Sequence, residues 1–274
     1  FMLRTTSLEN YDKWTTGDLP FTSPEVKNAA ETLGPIWFND DYVYGGTTSI
    51  VSTFFGDSPA PMFEDPPKCW MHKQGNFITG FFPEGSEADT DYGFFYLPGI
   101  DDAYGKPFLV AGDIMAMFND RPEVRALMEY FTTPESAKGW LETGGALATH
   151  KTATPDMYGV ALERGIATLV SEATSFRFDG SDLMPGEVGA GSFWKGMTDW
   201  VSGAADLDTV LAEIDASWPE GPADDATEPA ESECGFAVLP GGFLEKALAG
   251  EYAGTEVTVD GPFTDADEVK FKES

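Results

Sequence analysis

Just after Pro219 the chain carries an acidic stretch that no packed element can contain. Within residues 220–233, Glu220, Asp224, Asp225, Glu228, Glu231 and Glu233 fall among Gly, Pro, Ala, Thr and Ser, with no basic residue to pair them. Such a segment buries little apolar surface and repels itself, so it reads as a solvated, extended linker. It divides the chain into a long body (1–219), an acidic linker (220–241) and a short tail (242–274). The whole chain is long enough for one large domain or two modest ones.

The charge excludes whole classes of partner. With 47 acidic and 16 basic side chains among 274 residues, the net charge is −31. Phosphate neutralisation needs clustered Lys and Arg, so nucleic acid is not a partner, and neither is an anionic membrane surface. No apolar run approaches the roughly 20 residues of a spanning helix. Aromatic residues make up 14% of the chain and Trp occurs seven times, ample for a packed core. The ends read as cuts: Phe1 and Met2 follow no signal-like segment, and Val269 to Ser274 resembles the middle of a helix.

Punctuation by Pro, Gly and capping residues places the elements. Ser23 and Pro24 open a helix to Asn39, with Val26, Ala29, Ala30, Leu33, Ile36 and Trp37 at helical spacing. A second helix is expected from Gly46 to Phe55. A buried strand follows over Lys68–His72, then a helical turn over Gln74–Phe82. Two more strands are expected over Tyr92–Leu97 and Pro107–Phe118. Helices follow over Arg121–Phe131, Thr133–Glu142 and Pro155–Ser171. Beyond an irregular Gly-rich stretch, Phe178–Gly191, Ser192 is read as the cap of a helix to Ser202. Asp206 caps another that ends at Trp218-Pro219. In the tail, Phe243–Gly250 reads as a short helix and Thr255–Asp260 as a strand. Strands early and helices late point to α/β layers.

Specific catalytic motifs are lacking: no GxSxG, Walker loop, GxGxxG or HExxH occurs. His72 and His150 are the only histidines, which leaves little for triads or zinc, and no Cys/His spacing suggests a metal. Cys69 reads as a buried free thiol in the run Cys69-Trp70-Met71. A disulfide with Cys234 is also open, since two positions do not define pairing. No cofactor is expected.

Aromatic and polar residues at loops and helix starts remain. Trp194 stands in the first turn of a helix, where it either packs in the core or projects into a cleft as a platform for a sugar ring. Gln74, Asn76 and Phe77 follow the expected strand and form either an ordinary turn or a ligand-facing one. Gly112 interrupts an apolar strand, which suggests a bend or close backbone approach. Asp113 is costly to bury there without hydrogen bonds, so it is the least core-like of the group.

An ordered set of motifs carries a resemblance. It runs through Tyr11-Asp12-Lys13-Trp14, Asp57-Ser58-Pro59, Pro66 to Gln74, Phe81-Phe82-Pro83 and Gly105-Lys106-Pro107. It continues through Ala111-Gly112-Asp113, Thr133 to Ala137, Gly189 to Gly196 and Trp218-Pro219. Residues 1–219 resemble the back half of a family 1 extracellular solute-binding protein of carbohydrate ABC importers. This is the maltose-binding-protein-like superfamily, and the likeness is strongest to its alpha-glucoside-binding branch. The resemblance implies a type II two-lobed α/β clamp, here incomplete, with most of the first lobe missing.

In that family the strand at Pro107–Phe118 crosses between lobes and the stretch at Phe176–Gly191 crosses back. The Trp at the Trp194 position stacks on the sugar, and residues at Gly112-Asp113 and Gln74–Phe77 face the cleft. The implied function is non-catalytic capture of an alpha-glucoside or related oligosaccharide for ABC permease subunits. The protein would be a monomer in the periplasm or outside the cell, free or lipid-anchored. The other reading is a polysaccharide-acting enzyme or its accessory carbohydrate-binding module. Gly242 to Phe263 resembles the mature beginning of a first lobe of the same branch. The parent is then a tandem fusion, a permuted protein or a join made in assembling the sequence.

Overall fold

Trp14 organises the best-packed part of the protein. Its indole meets Tyr11, Phe21 and Phe193 edge-on, with ring centroids 5.5–5.6 Å apart. Around these rings Met2, Leu3, Val26, Ala29, Met184, Val188, Val210, Leu211 and Ile214 form one continuous buried cluster. The computed structural model describes residues 1–150, 152–219 and 242–258.

That core joins both ends of the body. On one side are α1 (Met2–Thr5), α2 (Leu8–Thr16) and α3 (Pro24–Trp37). On the other are α8 (Gly180–Leu183), a π-helical segment over Glu187–Phe193, α9 (Trp194–Ser202) and α10 (Leu207–Asp215). Between them in sequence lie α4 (Ser49–Ser52), α5 (Pro122–Phe131), α6 (Pro134–Thr143) and α7 (Ala161–Ser171). The last described helix is α11 (Phe243–Leu248). The Asp215 carboxylate fastens the halves of the core together, accepting from the Phe21 amide at 2.5 Å and from the Thr22 amide and hydroxyl at 2.9 and 2.7 Å.

Two short strands connect this core to the α5–α7 region. β1 (Pro107–Val110) runs parallel to β2 (Ser175–Phe178), in register from Pro107↔Ser175 to Val110↔Phe178. β2 is pinned to α2 twice. The Tyr11 hydroxyl donates to the Phe178 carbonyl at 2.7 Å, and Arg177 grips the Asp12 carboxylate with both arms at 2.5 and 2.9 Å. Burial, and then the nearby Asp179 charge, hold the Tyr11 phenol above its usual range. It therefore stays a donor across ordinary pH.

Several expected elements are shorter or absent, for identifiable reasons. The strand expected over Pro107–Phe118 stops at Val110, because its one partner turns into α8 two residues after Phe178. Among the described residues, Lys68–His72 and Tyr92–Leu97 find no ladder partner beyond a single Ala88–Tyr92 bridge, and Trp70 and Met71 lie exposed rather than buried. Among the described residues the Cys69 thiol has no disulfide partner, and it is half-buried rather than buried; Cys234, the other end of the open pairing, lies outside them. The helix expected over Gly46–Phe55 shrinks to α4, since Gly45 and Gly46 adopt φ of 80° and 76°, and α4 buries no residue.

Pro155–Ser171 breaks into a 3₁₀ turn, Pro155–Met157, and α7. The Gly159 amide is drawn to the Leu141 carbonyl at 2.9 Å, and a Cβ at Gly159 would lie 2.0 Å from the Glu142 carbonyl oxygen. Ser192 caps nothing, because α9 continues directly from the π segment and has no free N-terminus. Its hydroxyl instead lies 2.6 Å from that of Ser217 beyond α10. Thr255–Thr258 is irregular, and the rest of the expected tail strand lies outside the described residues.

Candidate functional site

Phe193 and Trp194 share a helical entry and take opposite fates. Phe193 packs inward against Trp14 and Phe21, while the Trp194 side chain projects outward, 76% exposed. The backbone ahead of them sets this split. A Cβ at Gly180 would meet the Trp14 ring at 2.5 Å, and one at Gly189 would fall 1.9 Å from the Ser181 carbonyl oxygen. Only glycines let α8 and the π segment approach α2 and each other so closely. The wider π turn then offsets the phase of α9 from what precedes it.

Gly112 and Asp113 lie just past the carboxyl end of β1, the end at which the Asp179 amide donates to the Val110 carbonyl at 2.8 Å. Crevices beyond the carboxyl ends of parallel strands are where α/β sheets present ligand groups. Both residues are exposed. Nothing lies within 4 Å of a Cβ built on Gly112, so the expected close backbone approach is not made. Asp113 stands outside the strand, so its carboxylate is solvated rather than buried.

The Gln74–Phe77 turn leads into a 3₁₀ helix, Asn76–Phe81, as its spacing predicts. Gln74 spends its carbonyl oxygen on the neighbouring Gly75 amide at 3.0 Å. Asn76 is partly committed as well: its Nδ2 donates to the Gly145 carbonyl at 3.3 Å. The Gly145 amide in turn donates to Oε1 of Glu163 at 2.9 Å, and Glu163 is buried, with Oε2 lacking a partner among the described residues. The turn is thus braced from behind by a buried carboxylate, which the sequence did not signal.

Phe77 is half-exposed and meets Phe55, which meets Phe81 and Phe54 in turn, with centroids 4.6–6.1 Å apart. This aromatic ledge was not singled out from the sequence, although Phe54-Phe55 and Phe81-Phe82 were visible as pairs. Among the described residues, no hydrogen bond or ring pair links Trp194, Asp113 and the Gln74–Phe77 turn. A cavity of about 400 Å³ between α1, α2 and Tyr104 includes none of them. No group of three or more His, Cys, Asp or Glu among the described residues could hold a metal. None of their helices is long and apolar enough to cross a membrane.

Over 218 residues, 80% of the chain, the sequence is 44% identical to the osmoprotective compounds-binding protein GgtB of Synechocystis sp. (strain ATCC 27184 / PCC 6803 / Kazusa). Over 221 residues, 79% of the chain, it is 42% identical to the alpha-glucosides-binding periplasmic protein AglE of Rhizobium meliloti (strain 1021). Over that stretch the chain is a homologue of these two binding proteins. It spans about half the length of these relatives, covering 51% of GgtB and 48% of AglE. Both names describe binding rather than a reaction. No family model matches the chain, and no solved structure does.

Proposed function

We propose that this chain is the C-terminal portion of the substrate-binding component of a carbohydrate ABC importer, working in the periplasm or at the cell exterior as a monomer. Its ligand is an alpha-glucoside or a related oligosaccharide, passed on to the permease subunits. The observation that carries this reading is Trp194. A 76% exposed indole at the head of a helix, beside a tightly packed core, offers an open face to an apolar sugar ring. The relatives support the ligand class: one is named for alpha-glucosides and the other for osmoprotective compounds.

The fold in this reading is one lobe and part of the other of a two-lobed clamp. The parallel pair β1–β2 is the crossing between the Trp14 core and the α5–α7 region. Asp113, Gly112, Gln74, Asn76 and Phe77 supply the polar contacts and the second aromatic surface. Residues 1–219 form this portion, 220–241 the acidic linker, and 242–274 the start of a first-lobe-like unit. Most of the first lobe lies outside the chain.

The test is tryptophan fluorescence of a version carrying a complete first lobe, titrated with trehalose, sucrose and maltose. A saturable change with at least one sugar supports the reading. A flat response to all three rejects it.

A further inference from the structure

The tail helix α11 lies along α5, and the side chains between them form a specific seat. α11 has only six residues, too few to hold a helix in isolation. Its own cap position, Gly242, offers no side chain. The Leu244 amide in its first turn instead donates to Oε2 of Glu129 on α5, at 2.7 Å. A carboxylate at that position satisfies an orphan donor and complements the helix dipole. Beside it, the Arg125 guanidinium lies over the Phe243 ring, 5.5 Å from its centroid. Arg121 Nη2 donates to the Glu256 carbonyl further along the tail.

Arg125 and Glu129 stand at i and i+4 on one face of α5, and Arg121 is the residue that precedes its first turn, so the three contacts come from α5 and its N-cap. On the tail side Phe243, Leu244 and Ala247 are half-buried, while Glu245, Lys246 and Leu248 are exposed. A cavity of about 260 Å³ remains between Ala126, Leu127 and Tyr130 on α5 and Leu244, Tyr252 and Val257 on the tail.

We propose that α5 is a docking helix for residues 242–258 of this chain, and that Arg121, Arg125 and Glu129 specify the seat rather than the covalent tether. Because α5 and cap side chains, with the Phe243 ring, carry the recognition, the segment also seats on α5 when supplied as a separate peptide. The tail then belongs to the packing of the α5–α7 region, whatever follows it. This inference is independent of the sugar-binding reading.

Hydrogen exchange with mass-spectrometric readout tests it on the full chain carrying Phe243→Ser and Leu244→Asp, which leaves α5 untouched. Exchange of the α5 amides should rise about tenfold, the factor that loss of one cap and one cation–π contact implies. Exchange in α9 and α10 should stay as in the wild type, which shows that the body is folded. A synthetic peptide of residues 242–258 should restore protection of α5 in a concentration-dependent way, and the doubly substituted peptide should not. Adding Glu129→Ala to the variant should abolish rescue by the wild-type peptide. Unchanged exchange in α5, no rescue by the wild-type peptide, or equal rescue by both peptides would overturn the proposal.

Discussion

Adjacent residues separate stability from binding. Phe193 closes the aromatic cage around Trp14, whereas Trp194 touches little. Urea denaturation should show Phe193→Ala losing about 3 kcal/mol and Trp194→Ala changing by less than about 0.5 kcal/mol. Comparable losses in both would mean that Trp194 is a core residue. Glu163 offers a second contrast. Glu163→Gln keeps an acceptor for the Gly145 amide and places an amide group where Oε2 now lacks a partner. Glu163→Leu strands that amide, at a cost of about 1–3 kcal/mol. Exchange at Asn76–Phe81 should rise in the Leu variant and not in the Gln variant. The sequence could nominate Phe193-Trp194 as a pair. It could not say which ring turns outward, because that depends on the π register.

Among the elements, helices opened by a proline or a capping residue were legible, whereas strands were so only in part: β1 falls within the expected Pro107–Phe118, and β2 was not expected. Pro24 and Pro122 stand in the first turns of α3 and α5, and Gly203 takes the left-handed cap after α9, each a local signal that tertiary packing left intact. Strands depend on partners elsewhere in the chain, so the apolar runs at Lys68–His72 and Tyr92–Leu97 misled. Asp206, read correctly as a cap, gives α10 a pH dependence. Its carboxylate accepts from the Thr209 amide at 3.0 Å and hydroxyl at 2.8 Å, which holds it below the ordinary carboxylate range. The capping contribution is therefore complete above the unfolded carboxyl pKa, about 3.9, and is lost as pH falls through the lower folded value. The Thr209 amide resonance should follow that step in an NMR pH titration, and Asp206→Ala should remove it.

At the scale of the whole molecule, the net charge of −31 is unevenly spread: residues 219–274 hold 14 acidic side chains against 3 basic ones. A neutral sugar needs no such field, and self-repulsion works against the compact state. Thermal melts should therefore shift upward as salt rises from about 0.01 to 1 M, where the screening length falls from about 30 to 3 Å. A downward shift would mean that the ion pairs on the surface, such as Arg177–Asp12, outweigh the repulsion.

The candidate site itself was only half legible. Its residues were nominated singly and by resemblance, and the structure leaves Trp194, Asp113 and the Gln74–Phe77 turn without direct contact. The most direct check of the account follows the indole N–H resonances of the seven Trp residues while trehalose, sucrose or maltose is added to this chain. Part of a cleft should bind weakly, on the order of millimolar. The account predicts a saturable shift of the Trp194 indole, with the Trp14 indole unmoved. No shift at Trp194 with any of the three sugars, or shifts only at other indoles, would contradict it.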